Sequence, residues 1–352
     1  MIHFLLLLIL AIPLFARDFS PVDKIVNGAI KEKTLPGGVL LIGQGDKVLY
    51  EKAYQSNFDT LYDVASLTKL STAIAIMMLK DDGKLKLNDK LSKFYTEFKT
   101  TEKENITIEE VLRHQAGLAA SIEVKSGESY DAFIKRTLTL PLSYKPKSKT
   151  VYSDVGFIIL GNLVEKISHV NLGKFTKVRI FFPLRMKKTT YQVSGEFKKF
   201  CAPTNPAKTP CIPHDPKAEN QYPKQLGHAG VFSTLEDMKH LALMFLGKGE
   251  YNGTRVLSEE SIKEMISLPK GEIRGLGVDL LSPYARAPRG EIFPKGISYG
   301  HTGFTGTTLW IDPKGNSFYV FLSNRVYLGE ERTGKPFTNF RYNLSTQIAK
   351  TL

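Results

Sequence analysis

Two apolar runs on either side of a short glycine turn open the patterned part of the chain. Val39–Ile42 and Val48–Tyr54 flank Gly43–Asp46, which predicts a β-hairpin. Leu67–Lys80 is densely apolar and alanine-rich and closes on Asp82-Gly83, so a buried helix is expected there. Thr107-Ile-Glu-Glu110 has capping-box spacing and opens a helix expected to end near Gly117. Val155–Ile167 reads as another mostly apolar helix, and Leu235–Phe245 and Ser258–Ile266 as two more. Strand character returns at Thr307–Ile311 and Ser317–Leu322 around Asp312-Pro-Lys-Gly315, a second hairpin, and Phe337–Leu352 closes the chain as a helix. Strands near both ends with helices between them predict an α+β fold: an antiparallel sheet formed from both chain ends and flanked by helices, with a helical middle region over roughly 85–225.

The N-terminus bears on the compartment. Ile2–Ala16 is an apolar run free of Asp, Glu, Lys and Arg, too short for the ~20 residues that span a bilayer. It fits the apolar core of a secretory signal cleaved after Ala16, although no Lys or Arg precedes it. Residues 1–16 are therefore expected to be a signal and residues 17–352 a single domain, exported to the periplasm or beyond, with no membrane span once the signal is removed. Cys201 and Cys211 lie close together in FCAPTNPAKTPC, which reads either as a loop-closing disulfide or as two unpaired thiols.

Composition is that of an ordinary globular chain, 42% hydrophobic and 24% charged, which excludes disordered and fibrous classes. Lys plus Arg is 48 against 35 for Asp plus Glu, a formal charge of +13. The excess either favours anionic partners or marks a lysine-rich solvated surface. No Lys/Arg block is interleaved with aromatics, so a nucleic-acid partner is not expected.

Three short segments carry chemistry. In Ser66-Leu-Thr-Lys69 the serine and lysine lie three apart and share a helix face. A buried amine there can take the serine proton, and Leu70–Leu79 lacks any charge, so Lys69 is expected to be a neutral base in the free protein. Ser66 at a helix start also meets free backbone N–H groups that suit an oxyanion. In Tyr152-Ser153-Asp154, ahead of an apolar helix, Tyr152 can pass a proton while Ser153 or Asp154 caps the helix. His301-Thr302-Gly303 leads into the late strands, where a glycine lets substrate lie against the backbone.

In that order and at wide spacing, these segments resemble the serine β-lactamase and penicillin-binding protein family. The resemblance is closest to its branch of class C β-lactamase relatives, D,D-carboxypeptidases and D-aminopeptidases. LPGGVLLIGQGDKVLYEKAY resembles the family's opening hairpin, LRHQAGL at Leu112–Leu118 a helical segment, FPLRMKKTTY a later turn, and GHTGFTGTTLWIDPKGNSFYVFLSNR the C-terminal strands. The resemblance implies Ser66 as acyl-accepting nucleophile, Lys69 as its base and Tyr152 as acid/base for the leaving group. It implies an oxyanion hole from the N–H groups of Ser66 and Phe304, and Asp154, His301, Thr302 and Gly303 as substrate contacts, with no cofactor. Two departures stand out. His301 occupies a position where lysine is usual, making a permanent charge pH-dependent, and Asp154 one where asparagine is usual. Burial would lower the His301 pKa and Asp154 would raise it.

His214-Asp215-Pro-Lys-Ala218 and Gly227-His228-Ala-Gly230 resemble a motif pair of a subgroup acting on muropeptides. His214, Asp215 and His228 are accordingly expected at the substrate wall rather than on a metal. His3, His114, His169 and His240 are assigned surface or packing positions only. The reading is a serine hydrolase acting through an acyl-enzyme on an amide or ester of cell-wall peptides or muropeptides, with a muropeptide, a peptidoglycan stem peptide or a β-lactam as its partner. A β-lactamase, a carboxylesterase and a non-catalytic penicillin-binding sensor are the alternatives.

Overall fold

The computed structural model describes residues 17–352, the side chains of residues 331–333 excepted, so the signal expected over residues 1–16 lies outside the described residues. Gly38–Gln44 (β1) and Lys47–Tyr54 (β2) form the first hairpin. Tyr299–Thr302 (β3), Thr308–Asp312 (β4) and Ser317–Leu322 (β5) form an antiparallel meander near the other end of the chain. β1 pairs with β5, Leu41 opposite Val320, giving one antiparallel sheet in the order β2-β1-β5-β4-β3. The α+β architecture, with its sheet built from both chain ends, is therefore the one expected.

Side chains alternate across a strand, and here both faces are covered. Helices Ser20–Lys31 (α1), Thr68–Asp81 (α2), Asp154–Ser168 (α3), Leu235–Leu246 (α4) and Glu330–Thr351 (α5) do the covering. Leu40, Ile42, Trp310, Tyr319 and Phe321 face a core shared with α1 and α5. Val39, Leu41, Leu309, Phe318, Val320 and Leu322 face the larger core that holds α2, α3 and α4. Two-sided burial is why β1 and β5 read as unbroken apolar runs rather than alternating ones.

Several local expectations change. The capping box forms in full between Thr107 and Glu110, but its helix covers only Ile108–Leu112, because His114 (φ +61°) and Gly117 (φ +75°) turn left-handed where the helix would continue. The last helix starts at Glu330, ahead of Phe337, and runs through Pro336. α1 is an element the sequence pattern did not suggest; Val22, Val26 and Ala29 form its buried stripe. The middle region holds α3 and shorter helices such as Tyr130–Thr139 and Pro216–Gln221, joined by long irregular stretches. Cys201 and Cys211 are disulfide-bonded, which decides between the two readings of that pair. Among the described residues no helix is long and apolar enough to cross a membrane.

Leu41, fully buried at the centre of the sheet, tests this packing. Leu41→Ala is expected to lower stability by about 3 kcal/mol, read as a shifted urea midpoint with an unchanged slope. Lys47→Ala on exposed β2 should stay within about 0.5 kcal/mol of the parent. Equal effects at the two positions would contradict the two-sided core.

Candidate active site

Ser66 sits in a single 3₁₀ turn, Ala65–Leu67, that feeds directly into α2. The turn is held from several sides. Ala65 adopts φ +47°, a left-handed conformation that a residue with a Cβ rarely keeps unless its surroundings impose it. Those surroundings are Asp63, whose Oδ1 accepts from the Ala65 N–H (2.8 Å) and Oδ2 from the His214 N–H (2.7 Å). Thr305 Oγ1 donates to Asp63 O (2.6 Å) and Thr307 Oγ1 to Val64 O (3.0 Å), so the turn after β3 is stapled to the turn carrying Ser66. Gly303 is required for that contact: a Cβ there would lie 2.4 Å from Val64 O and 2.1 Å from Thr307 Oγ1.

Lys69, the second residue of α2 and about one turn beyond Ser66, is fully buried. Its three ammonium protons each have an acceptor: Ser66 Oγ at 3.2 Å, Asp154 Oδ1 at 2.9 Å and His228 O at 2.9 Å. The expectation of a neutral amine is therefore corrected. Burial pulls the Lys69 pKa down, but the Asp154 carboxylate and the contact with Tyr152 outweigh it, and the pKa lies above the ordinary lysine value. Asp154 is partly buried, which raises its pKa, yet Lys69, His228 and Lys217 outweigh that and hold it at about 2. Ser153 caps α3 by accepting from the Gly156 N–H (3.0 Å), which leaves the Asp154 side chain free for Lys69.

The Tyr152 ring lies 4.8 Å from Lys69 Nζ and 5.3 Å from the Arg274 guanidinium, and stacks on His114 at 4.6 Å. His114 was assigned only packing; it is fully enclosed, and its Nδ1 accepts from the Ser153 N–H (2.9 Å), fixing the Tyr152-Ser153-Asp154 corner. Burial, with Arg274 and Lys69 nearby, keeps its pKa well below the usual histidine value.

Ser66, Tyr152, Thr302, Phe304, Arg274 and Arg341 are among the residues lining a cavity of about 220 Å³. His301 and Gly303 line it too. Tyr284 (63% exposed) and Phe304 (51%) stand among those lining residues as open aromatic faces. His301 Nδ1 hydrogen-bonds Thr302 O at 2.9 Å, and burial, then Arg274 and Lys69, push its pKa well below the usual value. Burial thus outweighs Asp154, the question the sequence left open, and His301 is neutral near pH 7.

Permanent charge comes from arginines that sequence reasoning missed. Arg341 on α5 donates to Thr308 Oγ1 (2.9 Å), Thr307 O (3.1 Å) and Gly303 O (3.3 Å), and burial lowers its pKa to about 10, still cationic. Arg274 pairs with Asp279 at 3.1 Å, while its Nε and Nη2 are buried without hydrogen-bond partners. Neither lies in a motif, and only the fold brings them to the serine.

The remaining predicted residues separate into two places. His214 is beside Phe304 (ring centroids 5.9 Å apart), its Nε2 bonded to Glu330 at 2.8 Å. Asp215 and His228 lie behind Lys69, joined at 2.9 Å. Asp154, Asp215 and His228 bring ligand atoms within 4.8 Å of one another. That cluster does not fit a metal well, because Lys217 Nζ already bridges Asp154 (3.3 Å) and Asp215 (3.0 Å), and an ammonium there would repel a cation.

Residues 22–341 match the Beta-lactamase family. An N-acetylmuramyl-L-alanine amidase of Bacillus subtilis is 29% identical, over 88% of this chain and 82% of its own length. A Salmonella gallinarum protein named, provisionally, as a D-alanyl-D-alanine carboxypeptidase is 30% identical, over 76% of this chain and 70% of its own. Among solved structures, a penicillin-binding protein homologue from Caulobacter crescentus superposes with a TM-score of 0.74 at 17% identity, covering 94% of this chain and 97% of its own.

A neutral His301 has a kinetic consequence. Its pKa lies well below the usual value, so kcat/KM for an anionic substrate should show no step near pH 6.5, where a solvated imidazole titrates. Comparing pH profiles of the parent and His301→Gln on one anionic and one neutral substrate checks this. A step near pH 6.5 present only in the parent and only with the anion would restore His301 as the charge reader.

Proposed function

The chain belongs to the beta-lactamase family, and from that premise we propose that it is an exported serine hydrolase cleaving an amide or ester bond in cell-wall peptides or muropeptides. Membership makes it a hydrolase of this family; the bond, the compartment and the residue roles are our reading. The observation that carries it is the contact of Lys69 Nζ with Ser66 Oγ (3.2 Å), with Ser66 and Tyr152 opening into one cavity.

In this reading Ser66 Oγ attacks the carbonyl carbon and its proton passes to Lys69 in its neutral form. The oxyanion rests on the N–H groups of Ser66 and Phe304, whose turns are stapled together by Thr305 and Thr307. As the bond to the leaving amine or alcohol breaks, Tyr152 donates its phenolic proton to it and takes back the proton Lys69 received from Ser66, so both groups return to their starting forms. Water then attacks the ester on Ser66, releasing the acid and restoring the serine. Arg341 supplies the positive charge for an anionic peptide end, with Thr302 beside it. Because Asp154 holds Lys69 as an ammonium in the free protein, acylation is expected to climb with pH as the neutral fraction grows.

Export is supported by the apolar run at residues 2–16 and by the Cys201–Cys211 disulfide, a bond that persists in oxidising compartments. Names of relatives that concern muramoyl-alanine and D-alanyl-D-alanine bonds support the substrate class. His301 and Asp154, standing where family β-lactamases carry lysine and asparagine, place β-lactam hydrolysis second.

Defined muropeptides incubated with the enzyme and weighed by mass spectrometry decide the bond: loss of one D-Ala, or release of the whole peptide from the sugar. Ser66→Ala should abolish turnover with the fold intact. Lys69→Arg keeps the charge but cannot deprotonate near neutral pH, and should lose at least about 10²-fold in acylation. Normal acylation in Lys69→Arg would remove Lys69 from the base role.

A further inference from the structure

Behind Lys69 a set of buried and half-buried charges forms a closed ring. Lys69 Nζ bonds Asp154 Oδ1 (2.9 Å), and Lys217 Nζ bridges Asp154 Oδ2 (3.3 Å) to Asp215 Oδ2 (3.0 Å). Asp215 Oδ1 bonds His228 Nε2 (2.9 Å), and the His228 carbonyl accepts from Lys69 Nζ (2.9 Å), closing the loop. Lys217 is itself locked, since it belongs to the short helix Pro216–Gln221 that Asp215 caps through the N–H groups of Lys217 and Ala218. The four charged groups alternate in sign, ammonium, carboxylate, ammonium, carboxylate, and the ring and carbonyl of His228 link the last to the first. Lys217 has no place in the acyl-transfer steps above and is not among the cavity-lining residues.

We propose that Lys217 is a positioning residue that sets the proton affinity of Lys69 by sharing its carboxylate partner. The inference rests on Lys69 being the base. Asp154 offers one oxygen to each lysine, so its charge is divided between them. Remove the Lys217 charge and the whole carboxylate acts on Lys69, which loses its proton less readily. Asp154 stays ionised in that event, because Lys69 remains 2.9 Å away.

The other groups around Lys69 do not supply this control. Tyr152 faces it from just ahead of α3, Phe157 from the first turn of α3, and Ser66 from its own turn. His228 presents a carbonyl, while His114, His301 and Arg274 lie on the Tyr152 side. The two histidines are held neutral, and the Arg274 charge is already matched by Asp279. Lys217 is the cation that touches the same carboxylate. Its other contacts are Asp215 and, at 3.4 Å, Ser121 Oγ.

The test is the rate at which a fluorophosphonate probe labels Ser66, followed by mass spectrometry from pH 6 to 10 in the full-length enzyme, with thermal unfolding recorded alongside. Lys217→Met and Lys217→Gln should label about tenfold more slowly at neutral pH, with the rising limb moved to higher pH and the rate recovered at its top. Lys217→Arg, which keeps the charge, should return the limb close to its original place. A limb that stays put or moves to lower pH in the neutral variants overturns the inference. So does loss of folding in both neutral variants with Lys217→Arg folded, which would make the role structural. The base reading fails separately, if Lys69→Arg labels at the parent rate, or if the parent is not labelled on Ser66 at all; either result removes the inference with it.

Discussion

A lysine ammonium buried out of contact with water is tolerable only if its charge is answered, and the site is arranged around answering that of Lys69. Transfer of an isolated charge to a protein interior costs so much that the group normally neutralises instead. Asp154 prevents that at 2.9 Å, and Ser66 Oγ and His228 O take the remaining protons. Each acceptor comes from a different part of the chain, so Lys69 ties the Ser66 turn, the start of α3 and the loop before Phe232 to one point. Removing a single partner of such a pair leaves an uncompensated charge, typically worth about 3–5 kcal/mol. Asparagine at position 154, usual in the family, would leave Lys69 a dipole instead of a charge. Aspartate exchanges ease of deprotonation for a fixed ammonium, and the second lysine on the same carboxylate moderates that exchange.

The sheet serves the same point from the opposite side. β3 ends at Thr302, and the turn that follows reaches over to the Ser66 turn through Thr305 and Thr307. Only glycine at 303 allows the approach. The left-handed Ala65 donates its N–H to Asp63 Oδ1, and the carbonyls of Asp63 and Val64 just before it are the ones that Thr305 and Thr307 bind. Both faces of that sheet are packed, which lets it act as a fixed wall for the cavity.

What could be read in the sequence was what is local. The hairpins carry their own turn residues, and Ser66 and Lys69 share one helical turn. Tyr152-Ser153-Asp154 announces a capped helix, so these groups were found together. Signs of charge were harder, because they depend on neighbours distant in the chain. Lys69 looked neutral from the apolar run beyond it, whereas its partner is Asp154 and lies in another helix. His301 looked like a charge reader, but burial in β3 among Arg274 and Lys69 keeps it neutral. His114 was hidden in a segment that reads as a plain helix end; its left-handed backbone is what turns the ring under Tyr152. His214, Asp215 and His228 were expected together at the substrate wall, but only the fold shows His214 beside Phe304 and Asp215 with His228 behind Lys69.

The arginines complete the electrostatic logic. A lysine at position 301 would place one mobile charge next to Tyr152 and the substrate alike. In this chain those two duties are separated. Arg274, anchored by Asp279, lies against the Tyr152 ring, while Arg341 is fixed to the backbone of Gly303 and Thr307 on the opposite wall. Neither can swing, since Arg274 is almost wholly buried and Arg341 is pinned by three hydrogen bonds over Phe337. A field from fixed guanidinium groups does not titrate across physiological pH. On the proposed mechanism, the pH sensitivity of the site is therefore concentrated in the Ser66–Lys69 contact and the carboxylate behind it.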